Sequence, residues 1–396
     1  MQKIILNSQL FNRVYEDKIV LITGHTGFKG SWLTLWLLKM GARVIGYSKD
    51  IPTKPSHYEL ITKNHSQFST LNSQLITIFG DIRDQEKLDK VFSEYKPDIV
   101  FHLAAQPLVR LSYENPIETY EINVIGTLRI FEACKKTNVK AIVNITSDKC
   151  YENKEWVWGY RENDPMGGHD PYSSSKGCAE LLTSSYRNSY FNLDDYGKKH
   201  NTLLASCRAG NVIGGGDWAE DRLIPDIIKA TSKDKKVIIR NPQAIRPWQY
   251  VLEPLNGYLM IGQKLLEGKK EFAEAWNFGP MEDGNITVEQ VIKICKKYWS
   301  KIEWEVIENG ELRMENEKEK TNSQLSIINS QLNKHEANIL KLDCSKACFK
   351  LGWRPVWDSE MAFKKTIEWY REFYENNVII SSRQLEQFIK GRDELF

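Results

Sequence analysis

The sequence predicts an α/β protein, a doubly wound parallel sheet followed by a smaller C-terminal α/β lobe. Three observations predict it. Short apolar runs alternate with helix-length segments through the first half of the chain. A glycine-rich turn joins the first run to the first helical segment. At 396 residues the chain is longer than one average domain, and its second half has a more mixed pattern.

The first run, Lys18 to Thr23, is apolar and ends at a glycine, as a buried parallel strand does. Ser31 to Met40 reads as a helix with Gly41 as its stop. Further strands are predicted at Arg43–Tyr47, Leu75–Phe79, Ile99–Leu103, Ala141–Thr146 and Leu203–Arg208. Helices are predicted at Glu86–Glu94 and Glu118–Lys136 between them. In the second half, helices are expected at Ile224–Thr231, Pro254–Glu267, Val288–Tyr298 and Ser359–Asn376. Short strands are expected at Val237–Arg240 and Trp304–Ile307. The resulting division is a dinucleotide-type domain over 15–207, a substrate lobe over 208–376 with some segments crossing back, and a tail over 377–396.

Composition excludes several classes. A formal net charge of +2 gives no global field for nucleic acid or a membrane surface. No apolar run approaches the ~18 residues a spanning helix needs. Met1 to Leu10 is too polar for a signal peptide. Seven scattered cysteines with no CxxC pair read as reduced thiols of a cytoplasmic protein, and no metal site is expected. Asn-Ser-Gln-Leu starts at Asn7, Asn72, Asn322 and Asn329 without a regular period. It reads as low-complexity sequence accepted in surface loops, with 309–334 a disordered insertion.

The turn Thr23-Gly24-His25-Thr26-Gly27-Phe28-Lys29-Gly30 has the context of a dinucleotide site. Gly24 permits a tight turn, Gly27 admits a pyrophosphate, and Gly30 lets the helix pack close to the sheet. The helix N-terminus adds free N–H groups for phosphate. The second strand leads into Ser48-Lys49-Asp50, with no acid at its tip, so the residues alone leave NAD and NADP both open.

Tyr172 and Lys176 lie four apart, on one face of a helix. A tyrosine base near neutral pH must overcome its ordinary pKa of ~10, roughly 4 kcal/mol, and a neighbouring ammonium helps. Downstream, Arg208-Ala-Gly-Asn211-Val-Ile-Gly-Gly-Gly-Asp217 offers glycines for close ligand approach. Arg222, Arg240 and Arg246 supply planar forks suited to a diphosphate.

Together, the glycine turn, Leu103-Ala104-Ala105 and the Tyr172/Lys176 pair resemble the extended short-chain dehydrogenase/reductase family. The resemblance covers about 17–300, and more weakly 338–375. It implies a Rossmann-type sheet, with Tyr172 taking a sugar hydroxyl proton and Lys176 holding Tyr172 and the nicotinamide ribose. Asp81 and Ile82 would contact adenine, and Asn123 would be the structural helix asparagine.

The strand ending in Ser147-Asp148-Lys149 resembles the sugar-nucleotide 4,6-dehydratases of that family, whereas epimerases lack the acid–base pair. Asp148 is then the general acid, which requires burial to keep it protonated. Lys149 is the base at C5, where many dehydratases carry Glu, and Ser147 bonds the C4 oxygen. Segments 147–153, 208–217, 246–254 and 276–280 narrow the resemblance to dehydratases of CDP-glucose. That implies NAD, Arg246 on the diphosphate, Gln106 near the sugar, Arg208 and Asn211 in the substrate site, and a homodimer formed through helices of the first domain. Tyr250 stands where the resemblance implies a histidine. The alternatives are a UDP-, GDP- or dTDP-sugar dehydratase, or an epimerase.

Overall fold

The computed structural model describes residues 10–62, 72–239, 242–281, 285–306 and 340–395. The first half runs β1 (Ile19–Thr23), α1 (Phe28–Lys39), β2 (Arg43–Ser48), α2 (His57–Thr62), β3 (Leu75–Phe79), α3 (Gln85–Tyr95) and β4 (Ile99–His102). It continues with α4 (Val109–Glu114), α5 (Pro116–Tyr120), α6 (Thr127–Thr137), β5 (Ala141–Ile145), α7 (Pro171–Ser189) and β6 (Leu203–Ala209). The second half adds β7 (Asn211–Ile213), α8 (Leu223–Thr231), β8 (Val237–Ile239), β9 (Ile245–Tyr250) and α9 (Leu252–Leu266). β10 (Ala275–Phe278), β11 (Asn285–Thr287), α10 (Val288–Tyr298), β12 (Trp304–Val306), α11 (Ser359–Asn376) and α12 (Ser381–Asp393) complete it.

Seven strands form one parallel sheet in the order β10-β6-β5-β4-β1-β2-β3. The order reverses beside β1, so a crevice opens at the strand C-terminal ends between β1 and β4, where ligands of such sheets bind. Alternate residues of each strand serve opposite faces. Val20, Ile22, Ile99, Phe101, Ala141 and Val143 pack with α1 and α9. Leu21, Val100 and Ile142 pack with α3 and α6 on the other side. Both faces are covered, which explains why the strands read as continuous apolar runs.

Helix ends follow local chemistry. Asp84 caps α3 through Lys87 N at 3.0 Å, and Asp358 caps α11 through Met361 N at 2.7 Å. Thr287 and Gln290 close a capping box on α10. Lys96, Asn138 and Asn377 end α3, α6 and α11 in the left-handed conformation.

Three expectations change. The helix predicted over Glu118–Lys136 is α5 and α6 with a π-helical stretch, Glu121–Gly126, between them. Gly126 sits there against Ile82, where a Cβ would lie 2.5 Å from the Ile82 side chain. The tail over 377–396 contains the packed helix α12. Leu385, Phe388 and Ile389 are buried, Lys39 pairs with Glu386 at 2.6 Å, and Arg392 lies over the Phe11 ring. The Asn-Ser-Gln-Leu copy at Asn72 is no loop throughout: after one 3₁₀ turn its Leu75 begins the edge strand β3. The other copies, and the insertion expected at 309–334, lie outside the described residues. No described helix is long and apolar enough to cross a membrane, and no metal-binding cluster occurs among the described residues.

Candidate active site

The glycine turn leaves β1 at Gly24, whose φ is +75°. A Cβ there would meet Ala104 N at 2.9 Å, because the turn runs against Leu103-Ala104-Ala105 after β4. Ala104 N also donates to Thr23 Oγ1 at 3.2 Å. At Gly30 a Cβ would lie 2.1 Å from Gly24 O, so only glycine lets α1 start this close to the turn. Gly27, by contrast, has only Gly24 O within reach, at 3.4 Å. That open side and the N-terminus of α1 fit a pyrophosphate. Thr26 donates to Asp50 O at 2.6 Å and pins the turn to the end of β2.

Asp81 is clasped by Arg83 at 3.0 and 2.7 Å, and that pairing draws its carboxyl below the usual range. Ile82 is buried beside it. Asn123 accepts from Gln106 N at 2.9 Å and donates to Ser175 at 2.8 Å, tying the π-helical stretch to α7.

Helix α7 begins where Asp170 accepts from Ser173 N at 2.9 Å and Pro171 supplies a preset first turn. It carries Tyr172 and Lys176, both buried. Burial raises the Tyr172 phenol to about 12, against help from Ser147 and Arg222. Lys176 is lowered to about 8 by burial, and its chief opposing partner is Glu180, one turn further along α7.

Ser147 caps a short 3₁₀ turn, Asp148–Cys150, at the end of β5. Its hydroxyl lies 2.9 Å from Asp148 Oδ1 and also pairs with Tyr172. Asp148 is 5% exposed, and burial raises its carboxyl pKa against the pull of Lys149 and Lys29. Gly210 gives it room, since a Cβ there would lie 2.8 Å from Asp148 Oδ2. Lys149 is half-buried beside it. The Tyr172 phenol, the Ser147 hydroxyl, the buried Asp148 carboxyl and Lys149 thus lie together at the end of β5.

The substrate-site expectations divide. Arg222 pairs with Asp217 at 2.9 Å and acts electrostatically on Tyr172. Arg246 lies on β9 opposite Ile286, with its guanidinium on Ile245 O at 2.9 Å. Asn211 opens β7 beside Trp248. Arg240 is outside the described residues. Arg208 is a correction. It is 3% exposed and joins Glu180 at 2.7 Å, Tyr151 Oη at 2.6 Å and Glu162 O at 3.0 Å behind the crevice. Gln106 is buried, with its amide donating to Leu108 O and Thr119 Oγ1 and its Oε1 accepting from Leu108 N at 2.5 Å.

The glycines of 214–216 pack closely against protein side chains. A Cβ on Gly215 would lie 1.9 Å from the Trp369 ring, and one on Gly214 would meet Val251 and Phe28. Tyr250 is wholly buried and donates to Gln384 at 2.6 Å, so it reads no nucleotide.

Lys29 was not among the expected residues. It stands within the glycine turn, and burial lowers it to about 8, with Arg222, Asp148, Lys176 and Asp217 all acting on it. Its signal in the sequence is a cation inside a turn that needs only glycines and small residues. Glu180 was missed too; it falls one helical turn after Lys176, on the same face.

A family model described as GDP-mannose 4,6 dehydratase matches residues 21–366. The chain is 49% identical to a CDP-glucose 4,6-dehydratase of Salmonella typhimurium, over 95% of this chain and 98% of that one. It is 26% identical to a dTDP-D-glucose 4,6-dehydratase of Homo sapiens, over 91% of each. Among solved structures, dTDP-glucose 4,6-dehydratase from Bacillus anthracis in complex with NAD has a TM-score of 0.68 at 19% identity, covering 90% of this chain and 98% of that one. An epimerase from Methanothermobacter thermautotrophicus gives 0.73 at 23% identity, covering 92% and 96%. These structural likenesses show the shared fold. The family match and the 49% relative go further: the chain belongs to the GDP-mannose 4,6-dehydratase family of extended short-chain dehydrogenases/reductases.

Proposed function

We propose that the protein is an NAD-dependent hydro-lyase that converts CDP-glucose to CDP-4-keto-6-deoxyglucose. The observation that carries the chemistry is Asp148, a buried carboxyl with a raised pKa, joined through Ser147 to Tyr172. An epimerase has no use for an acid there. The 49% identity to a CDP-glucose 4,6-dehydratase supports the substrate.

When bound, NAD would supply the hydride acceptor for C4 of the sugar and the donor for C6. The glycine turn, Thr26, Phe28 and the Leu103–Ala105 loop hold it, with Asp81 and Ile82 toward the adenine. Tyr172 takes the C4 hydroxyl proton. Lys176, as a cation, would supply the stabilisation of phenolate that burial of Tyr172 opposes. Ser147 bonds the C4 oxygen. Oxidation at C4 acidifies the C5 hydrogen, and Lys149 is the base that removes it. Asp148 gives its proton to the C6 hydroxyl, which leaves as water. Arg222 and Arg246 hold the diphosphate, with Asn211 at the rim of the site.

We also propose that residues 15–207 bind the dinucleotide and 208–376 the nucleotide sugar. A cytoplasmic homodimer is part of the reading. Its support is the apolar surface on the first domain's helices, where Ile117 is 75% and Leu181 60% exposed. Incubation with CDP-glucose and NAD tests the function. A product lighter by one water, absorbing in alkali as a 4-keto-6-deoxy sugar, is expected. No product from CDP-glucose, with one from a UDP-, GDP- or dTDP-sugar, would overturn the substrate.

A further inference from the structure

His57 opens α2, far in sequence from both the glycine turn and the C-terminus, yet it touches the neighbours of each. Its ring stacks on Trp32 of α1, with centroids 4.7 Å apart and planes at 15°. Nδ1 lies 2.8 Å from Ser31 Oγ, and Nε2 lies 2.8 Å from Ser381 Oγ at the start of α12. Two further bonds fix every proton. Ser31 Oγ donates its only hydrogen to Phe28 O at 2.9 Å, so at Nδ1 the histidine must be the donor. Nε2 is then the acceptor and takes the Ser381 hydroxyl proton. Ser381 Oγ in turn accepts from Trp369 Nε1 at 2.9 Å.

The result is one directional chain of four hydrogen bonds, Trp369 to Ser381 to His57 to Ser31 to the Phe28 carbonyl. It works only with a neutral imidazole, and burial does keep His57 neutral, lowering it to about 3. The chain ends on the first residue of α1, in the turn assigned to the pyrophosphate. Its flank is the glycine loop of the second half. Trp32 Nε1 donates to Gly215 O at 2.9 Å, and a Cβ on Gly216 would lie 2.6 Å from His57. The next residue, Asp217, holds Arg222.

We infer that His57, through Ser381 and Trp369, is a positioning residue by which the C-terminal helix α12 sets the dinucleotide turn and so the affinity for NAD. The inference rests on the cofactor assigned under the proposed function. No link of the chain touches the reacting atoms. Its loss therefore weakens cofactor binding and leaves the chemical step intact once NAD saturates.

The test is calorimetric titration of the full-length protein with NAD, beside its thermal unfolding midpoint. Ser381→Ala breaks two adjoining links and should raise the NAD Kd about tenfold, with kcat at saturating NAD within about twofold. Ser381→Thr restores the hydroxyl and should restore the Kd. Trp369→Phe removes only the outermost donor and should give a smaller rise. A lowered midpoint with unchanged Kd in both Ser381→Ala and Trp369→Phe would overturn the inference and leave the chain a packing device. If the parent protein fails to bind NAD, the cofactor assignment falls and this inference with it.

Discussion

Arg208→Met tests where the buried arginine acts. The guanidinium and the Glu180 carboxylate are 4% and 3% exposed, so water screens neither. The substitution removes the ion pair, the bonds to Tyr151 Oη and Glu162 O, and a guanidinium stacked 4.9 Å over the Tyr151 ring. It leaves Glu180 buried with the hydroxyls of Thr146 and Ser206 as its hydrogen-bond donors and only the more distant charges of Lys176 and Arg187 acting on it. Breaking one side of a buried pair costs about 3–5 kcal/mol. With a urea slope of about 3 kcal/mol per molar, the unfolding midpoint should fall by over ~1 M. Adding Glu180→Gln removes the stranded charge, so the double variant should be destabilised by less than the sum of the two single ones. In the folded fraction, the KM for CDP-glucose should stay within about threefold, because no substrate atom is lost a partner. A variant with an unchanged midpoint and a KM raised tenfold or more would refute the reasoning and return Arg208 to the substrate.

Three other outcomes follow from the same geometry. Asp148→Asn should still oxidise C4 but slow water loss by about 10²–10⁴-fold, so reduced nicotinamide builds up by absorbance during turnover; unimpaired dehydration would remove Asp148 from the mechanism. Lys176 is cationic only below about 8, so kcat/KM for the sugar nucleotide should fall as pH rises through that value, and a profile flat well beyond it would count against the role. Glu253, buried under Val356 N and Trp357 N, is raised from 4.5 to about 8 by burial. The native state then holds a proton that the unfolded chain has lost, so stability is greatest below the unfolded value and declines as pH rises toward 8. Glu253→Gln should flatten that slope in urea titrations, and an equal slope in the variant would show that other groups set it.

The sheet was legible because its strands are buried on both faces and its helices carry caps. Leu75–Phe79, Val288–Tyr298 and Ser359–Asn376 fall where the pattern puts them. The glycine turn was legible because each glycine answers a separate steric demand. What the sequence concealed is tertiary. Arg208 has the chemistry of a diphosphate ligand, and only the position of Glu180 across the strand reveals that it faces inward. The glycines of 214–216 signal close approach, but the residue name does not say that Trp369 and His57 are what approaches. The C-terminal helix lacks a side-chain cap and has a weakly apolar pattern, so its docking on α1 shows only in three dimensions. Lys29 was overlooked because the turn's pattern is defined by its glycines.

The central claim is that one hydrogen moves within the sugar, from C4 to C6, while water is lost from C5 and C6. Turnover of CDP-glucose carrying deuterium at C4 tests it directly. The account predicts a product lighter by one water with the deuterium in the C6 methyl group. Deuterium returned to C4 in an unshortened sugar would mean epimerase chemistry, and would make Asp148 and Lys149 bystanders at the end of β5.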